Sequence, residues 1–156
     1  MAKTLTFETG LVEYDINGMA TARFNPTDSV FVERLYKTMT DLDARQGEFQ
    51  KRVDSIEIGE HGEGGEEMFA FANERDAEMR ELIDKLLGEG VADALFPNMN
   101  CYALADGLPV WVNLVFAVAE EVDAAFESEH AKGDPRLKKY SDKYAGMRAK
   151  YAKGKK

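Results

Sequence analysis

NPTDSVFVERLYKTMTDLDARQGEFQKRVDSI, residues 25–56, is the stretch whose reading decides the fold. Val32, Leu35, Met39, Leu42, Phe49, Val53 and Ile56, with Gln46 in the same row, recur in alternating steps of three and four. That spacing gathers them on one helical face as a heptad seam. The start is marked: Asn25 can cap, Pro26 suits the first helical position because its missing N–H would be unpaired there, and Asp28 sits in the positive first turn. The expectation is a helix over 26–58, about 30 residues and about 45 Å long. Gly47 weakens it and it ends before Gly59.

Upstream, 1–24 carries strand chemistry. Residues 4–7 alternate polar and apolar, Gly10 interrupts, and two further runs, 11–16 and 19–24, meet across Asn17-Gly18. Asn-Gly between such runs predicts a hairpin, because both turn positions need positive φ. Counting outward from a two-residue turn sets Ile16 opposite Met19, Tyr14 opposite Thr21 and Val12 opposite Arg23 on one face. Glu13, Asp15, Ala20 and Ala22 then share the other.

Downstream, EHGEGGEE (60–67) has three glycines in eight residues and reads as a flexible acidic link. A second helix is expected over 66–88, with a seam of Met68, Ala72, Arg75, Met79, Leu82 and Leu86 ending at Gly88 and Gly90. Two such helices around a glycine link form an antiparallel helical hairpin. One helical turn is expected over 91–96 before Pro97, then irregular or extended chain over 98–105. Asp106-Gly107-Leu108-Pro109 is read as the start of a third helix over 109–131, striped by Trp111, Val115, Val118, Val122 and Ala125. The first half of that helix is apolar nearly all round, as suits a central core position or a partner surface.

The fold class expected is therefore α+β, mostly α: an N-terminal β-hairpin or small sheet packed on a bundle of three to four helices, with a basic C-terminal amphipathic helix. Residues 1–131 form one domain, which the chain's 156 residues and 44% apolar content can support. Residues 132–156 are a tail holding ten of the twenty Lys and Arg and two of the twenty-nine acids, a formal +8 in a chain of −9, which leaves −17 on 1–131. After the cap-like Asp134-Pro135, its stripe runs Leu137, Tyr140, Tyr144, Met147 and Tyr151, with Lys138, Lys139, Lys143, Arg148 and Lys150 off it. A stripe of that kind docks on a surface, and an acidic helical face of this chain or a partner is the expected one. Lysines among tyrosines also suit nucleic acid or an anionic membrane, but the −17 body repels both polyanions across a Debye length of about 10 Å.

Little in the chain supports catalysis. His61 and His130 are the two histidines, no Ser or Cys lies in a nucleophile motif, and no phosphate-binding loop or dinucleotide fingerprint occurs. Glu127-Ser-Glu-His130 has the spacing of a di-iron ligand pair, but it lacks the second such pair and the inward carboxylates that a site needs. No cofactor and no metal is expected. The lone Cys101 reads as a small buried hydrophobe. The opening MAKTLTFETG lacks the apolar core of a secretory signal and 108–119 is too short to span a bilayer, so a cytoplasmic location is expected.

Three segments carry a resemblance: INGMATARFNPTDSVFVERLY (16–36), YALADGLPVWVNLVFAVAEEVD (102–123) and PRLKKYSDKYAG (135–146). They resemble a family of small phage and prophage proteins of Gram-positive bacteria whose members look like tail-assembly chaperones. The resemblance implies a non-enzymatic protein that binds a long helical tape-measure or other tail protein while the tail tube assembles. EHGEGGEE has no counterpart in it. Candidate contacts are Leu35, Met39, Leu42, Phe49, Met79 and Leu82 on the seams, and Leu137, Lys139, Tyr140, Lys143, Tyr144, Met147 and Tyr151 on the tail; the seam residues serve equally as ordinary core. Two alternatives share the features: an acidic inhibitor that occupies a nucleic-acid site on a host defence protein, and a structural or homo-oligomeric subunit.

Overall fold

The computed structural model describes residues 1–57, 59, 63–133 and, from the tail, 139, 142, 143, 145–147, 149 and 150, without the side chains of 42–44. Its elements are β1 (Val12–Ile16), β2 (Ala20–Phe24), α1 (Ser29–Ser55), α2 (Gly65–Leu87), α3 (Val91–Leu95), β3 (Leu104–Ala105), β4 (Leu108–Pro109) and α4 (Val110–Lys132). The molecule is mostly helical, with an N-terminal antiparallel pair packed on helices, as its composition and periodicity imply. Residues 4–7, expected as strand, lie outside any strand.

The N-terminal hairpin forms around Asn17-Gly18, both at positive φ (55° and 67°), but in a different register from the expected one. Met19 donates its N–H to the Ile16 carbonyl (3.0 Å) and then stands as an extra residue, so that Ile16 faces Ala20, Tyr14 faces Ala22 and Val12 faces Phe24. One inserted residue moves every side chain of one strand to the other face. Val12, Tyr14, Ile16, Ala20, Ala22 and Phe24 now share a face, opposite Glu13, Asp15, Thr21 and Arg23. Chemistry explains the choice: Ala22 and Phe24 become buried, and Glu13 sits across from Arg23 at 3.1 Å. Phe24 stacks between Tyr14 and Phe31, with centroids at 4.5 and 4.1 Å, which ties the hairpin to the first turn of α1.

The cap of α1 is Asp28 rather than Asn25, its carboxylate accepting from the Val30 N–H at 3.1 Å. Asn25 instead closes the preceding turn by accepting from the Thr27 N–H and hydroxyl (2.9 and 2.8 Å), so the helix starts three residues past Pro26. Changing Asp28 to Ala is expected to lower stability by about 1 kcal/mol and the melting temperature by roughly 2–4 °C, read by circular dichroism.

The ion pairs Arg45–Glu78 (3.2 Å) and Arg52–Glu74 (2.9 Å) fix α1 and α2 as an antiparallel hairpin. The link is shorter than the expected EHGEGGEE, since α2 already includes Gly65, Glu66 and Glu67. Carboxylates in a first turn complement the helix dipole, which outweighs the weak propensity of glycine there. Gly64 closes the tip at φ 87°, where a Cβ would collide with the Glu57 carbonyl oxygen.

The core gathers where β2, the first half of α1, the second half of α2, α3 and α4 meet. On α2 the buried residues are Phe71, Met79, Ile83, Leu86 and Leu87, a stripe rotated from the expected seam so that Phe71 and Ile83 join it. On α4 they are Trp111, Val115, Val118 and Val122, four of the five residues expected. The expected single turn at 91–96 is α3. Asp106-Gly107, expected to open the third helix, is instead a two-residue turn with φ 56° and 81° joining β3 to β4. Aspartate and glycine tolerate positive φ at both positions, so a short antiparallel pair closes before α4 begins at Val110. No described helix is long and apolar enough to cross a membrane.

Candidate functional site

Past Thr38, no described side chain of α1 is buried; Met39, Phe49 and Val53 are half-covered and the others exposed. The outer half of the α1–α2 hairpin is thus an arm beyond the core, held by arginines and aromatic rings. The Arg52 guanidinium lies 4.6 Å from the Phe71 ring centre, and Phe49 meets Phe71 edge-on at 5.7 Å. Arg75 sits among three rings, 3.6 Å from Tyr102, 5.2 Å from Phe49 and 5.9 Å from Phe71. Tyr102 in turn packs edge-on against Trp111 at 5.9 Å. Cation–π contacts of this closeness supply what a fully apolar core supplies elsewhere.

Beside these rings opens a cleft of about 480 Å³ lined by residues of α1 (Gln46, Gly47, Phe49, Gln50 and Val53), by Arg75 of α2, and by Tyr102, Pro109 and Trp111. Two buried donors on these residues, Nε of Arg75 and Nε1 of Trp111, have no acceptor among the described residues. Burial pushes the Tyr102 hydroxyl above its ordinary pKa, although the Arg75 charge pulls it down. A larger open depression of about 1100 Å³ runs between 8–12 and the end of α4, where Tyr14 donates to Glu121 at 3.0 Å. Burial first, and then Glu121, pushes that phenol up to about 12.

A buried polar cluster lies on the other side of α2. Arg80 donates to Asp76 (2.8 Å), Asp93 (2.9 Å) and the carbonyls of Phe96 (2.8 Å) and Met99. Asp76 accepts from the Cys101 N–H at 2.7 Å. Cys101 itself is wholly buried, and burial followed by the Asp76 carboxylate pushes its thiol up to about 12, which leaves it protonated and unreactive at neutral pH. This cluster pins α3 and 96–101 to α2.

The candidate contact residues divide by position. Leu35 and Met79 are buried, at 5% and 1% exposure, while Met39 and Leu82 are half-covered and pack against the same core. Phe49 belongs to the cleft. For Leu42 the side chain is outside the described residues, as are Leu137, Tyr140, Tyr144 and Tyr151. Lys139, Lys143 and Met147 are helical and exposed, Met147 to 60%. Arg75, Tyr102 and Trp111 were not legible as one site, because α2 and the start of α4 are joined there only by tertiary packing. The available signal was Arg75 itself, a cation in an apolar row.

Glu127 and His130 are both exposed, His130 leaning on Phe126 at 6.3 Å, and His61 lies outside the described residues. Among the described residues no three His, Cys, Asp or Glu gather as a metal ion requires. No family model, no curated protein and no solved structure matches the chain.

Proposed function

We propose that this chain is a non-enzymatic binding protein of phage tail assembly, acting in the host cytoplasm to hold a helical tape-measure or other tail protein. The observation that carries the reading is the arm: a long helical hairpin whose outer half lies outside the main core, with Phe71 and Ile56 as its buried apolar side chains. It leaves Phe69 73% exposed near its tip and Phe49 and Val53 half-covered. A helical partner laid along it would cover apolar area worth about 25 cal/mol per Å². The −17 of residues 1–131 would keep such a complex soluble, and the basic tail offers a second, oppositely charged contact.

The test is a pull-down from cells expressing the neighbouring genes, with and without residues 132–156. Recovery of a long helical tail protein is the expected result. Recovery of a host nuclease or immune effector would instead assign the acidic body to inhibition. A defined oligomer with nothing else bound would make the chain a structural subunit.

A further inference from the structure

We infer that residues 3–8 of one copy add as a strand to the open edge of β1 in a second copy, joining two chains through one continuous sheet. The inference holds whether or not the chain serves tail assembly. Thr4, Leu5, Thr6 and Phe7 alternate as a strand does, and Thr and Phe favour strands, yet the segment lies outside any strand. Its apolar side chains are bare: Leu5 is 89% and Phe7 82% exposed. Among the described residues, no backbone group of 1–8 takes part in a hydrogen bond. Free backbone and exposed apolar side chains in an alternating segment are what strand addition uses. The segment is also held so that it runs on past the hairpin rather than back along it. Asn25, which follows β2, donates its side-chain N–H to the Thr9 carbonyl at 2.9 Å, and its Nδ2 lies 2.5 Å from where a Cβ on Gly10 would stand. Val12 pairs with Phe24, so this clamp continues the line of β1 beyond the end of β2.

The receiving edge matches the segment. Helices α2 and α3 pack against β2, and β2 is the one strand paired with β1, which leaves β1 as the outer strand. Its inward face is unfinished at that edge: Ala22 and Phe24 of β2 are buried, but Tyr14 and Ile16 are half-covered and Val12 is 41% exposed. Beside Val12 and Tyr14 lies the depression of about 1100 Å³, with Ala124 and Ala125 of α4 in its lining. Side chains that small leave room for Leu5 and Phe7. The charged groups there are three acids, Glu8, Glu121 and Glu129, against Lys132, and the entering KTLTF (3–7) brings one cation and no acid. A two-fold axis between residues 9 and 10 seats each segment on the other copy, with Leu5 opposite the partner's Tyr14 and Phe7 opposite the partner's Val12. Odd and even positions share a face in this pairing because Gly10, at φ 73°, acts as a bulge between them. The exchange is reciprocal, so it closes at two chains and uses up both open edges.

Sedimentation equilibrium of the full chain is expected to show a dimer with a roughly micromolar dissociation constant. Leu5→Asp with Phe7→Asp, both at exposed positions, should keep the wild-type circular dichroism and weaken the dimer at least about 100-fold. Deleting residues 2–8 should do the same. The register is read by mixing Thr6→Cys protein with Glu13→Cys protein under air, since these two positions face each other across the new pairing and a disulfide between them joins different chains. Glu13 gives up only an exposed ion pair with Arg23, and the native Cys101 is wholly buried and stays out of the reaction. A chain that stays monomeric at about 100 μM, a dimer that survives Leu5→Asp with Phe7→Asp, or mixed cysteine proteins that do not cross-link would overturn the assignment. So would a chain carrying both cysteines that closes the disulfide within itself, because the segment would then be folded back on its own β1.

Discussion

Replacing Arg80 with Ala is expected to destabilise the protein by about 3 kcal/mol, seen as a lower urea midpoint with little change in slope. The side chain is 17% exposed and its partner Asp76 is 20% exposed, so the pair is shielded from most solvent screening. Removing the cation strands Asp76 and also deprives the Phe96 and Met99 carbonyls of a donor. The bond to Asp93 adds little, because that carboxylate is 80% exposed. Asp76→Ala should cost a similar amount, since it strands Arg80 and the Cys101 N–H. The double variant should lose less than the two singles together, as coupled partners do.

The same pair predicts a pH dependence. Burial works to raise the Asp76 carboxyl, but the Cys101 N–H and thiol and the Arg80 guanidinium outweigh it and hold it below its ordinary 3.8. A depressed carboxyl contributes stability that is fully present above its unfolded value and is lost as pH falls through the folded one. The stability gap between the wild-type chain and Asp76→Asn should therefore be constant at neutral pH and shrink below about 4. A gap that grew on acidification would mean that the carboxyl is raised instead.

Periodicity made the helices legible because an apolar stripe has to be buried whatever its partner is, and α1, α2 and α4 all follow from theirs. Details that depend on one residue were harder. Met19 shifts the hairpin register, and only the burial of Ala22 and Phe24 together with the Glu13–Arg23 pairing decides for it. Both Asn25 and Asp28 are good caps, and the choice falls to Asp28 because Asn25 is used by the turn before it. Asp106-Gly107 carried a hairpin signal, but β3 and β4 are two residues each, too short to show alternation. Arg80 looks like a surface residue of α2 until 93–99 folds over it. The cleft has the same cause: Phe49, Arg75, Tyr102 and Trp111 come from separate segments, and no local spacing unites them.

Leu35→Asp is expected to abolish folding, a larger effect than the loss of Arg80. Leu35 is 5% exposed and packs in the cluster with Phe31, Met79 and Ile83. Leu35→Ala at such a site would cost about 2–5 kcal/mol through lost burial and the cavity left behind. Aspartate adds an unpaired charge, with an effective penalty of several kcal/mol, and the sum reaches the roughly 5–15 kcal/mol that a domain of this kind has in total. Circular dichroism and the near-ultraviolet signal of Trp111 should both show an unfolded chain. Phe69→Asp is the paired experiment: Phe69 is 73% exposed, so the fold should survive with a change within about 0.5 kcal/mol. If the arm holds a helical partner, folded Phe69→Asp should lose that partner while Leu35→Asp loses everything. A Leu35→Asp protein that folds and merely fails to bind would move Leu35 from core to interface, and the seam of α1 would have to be read as open along its whole length.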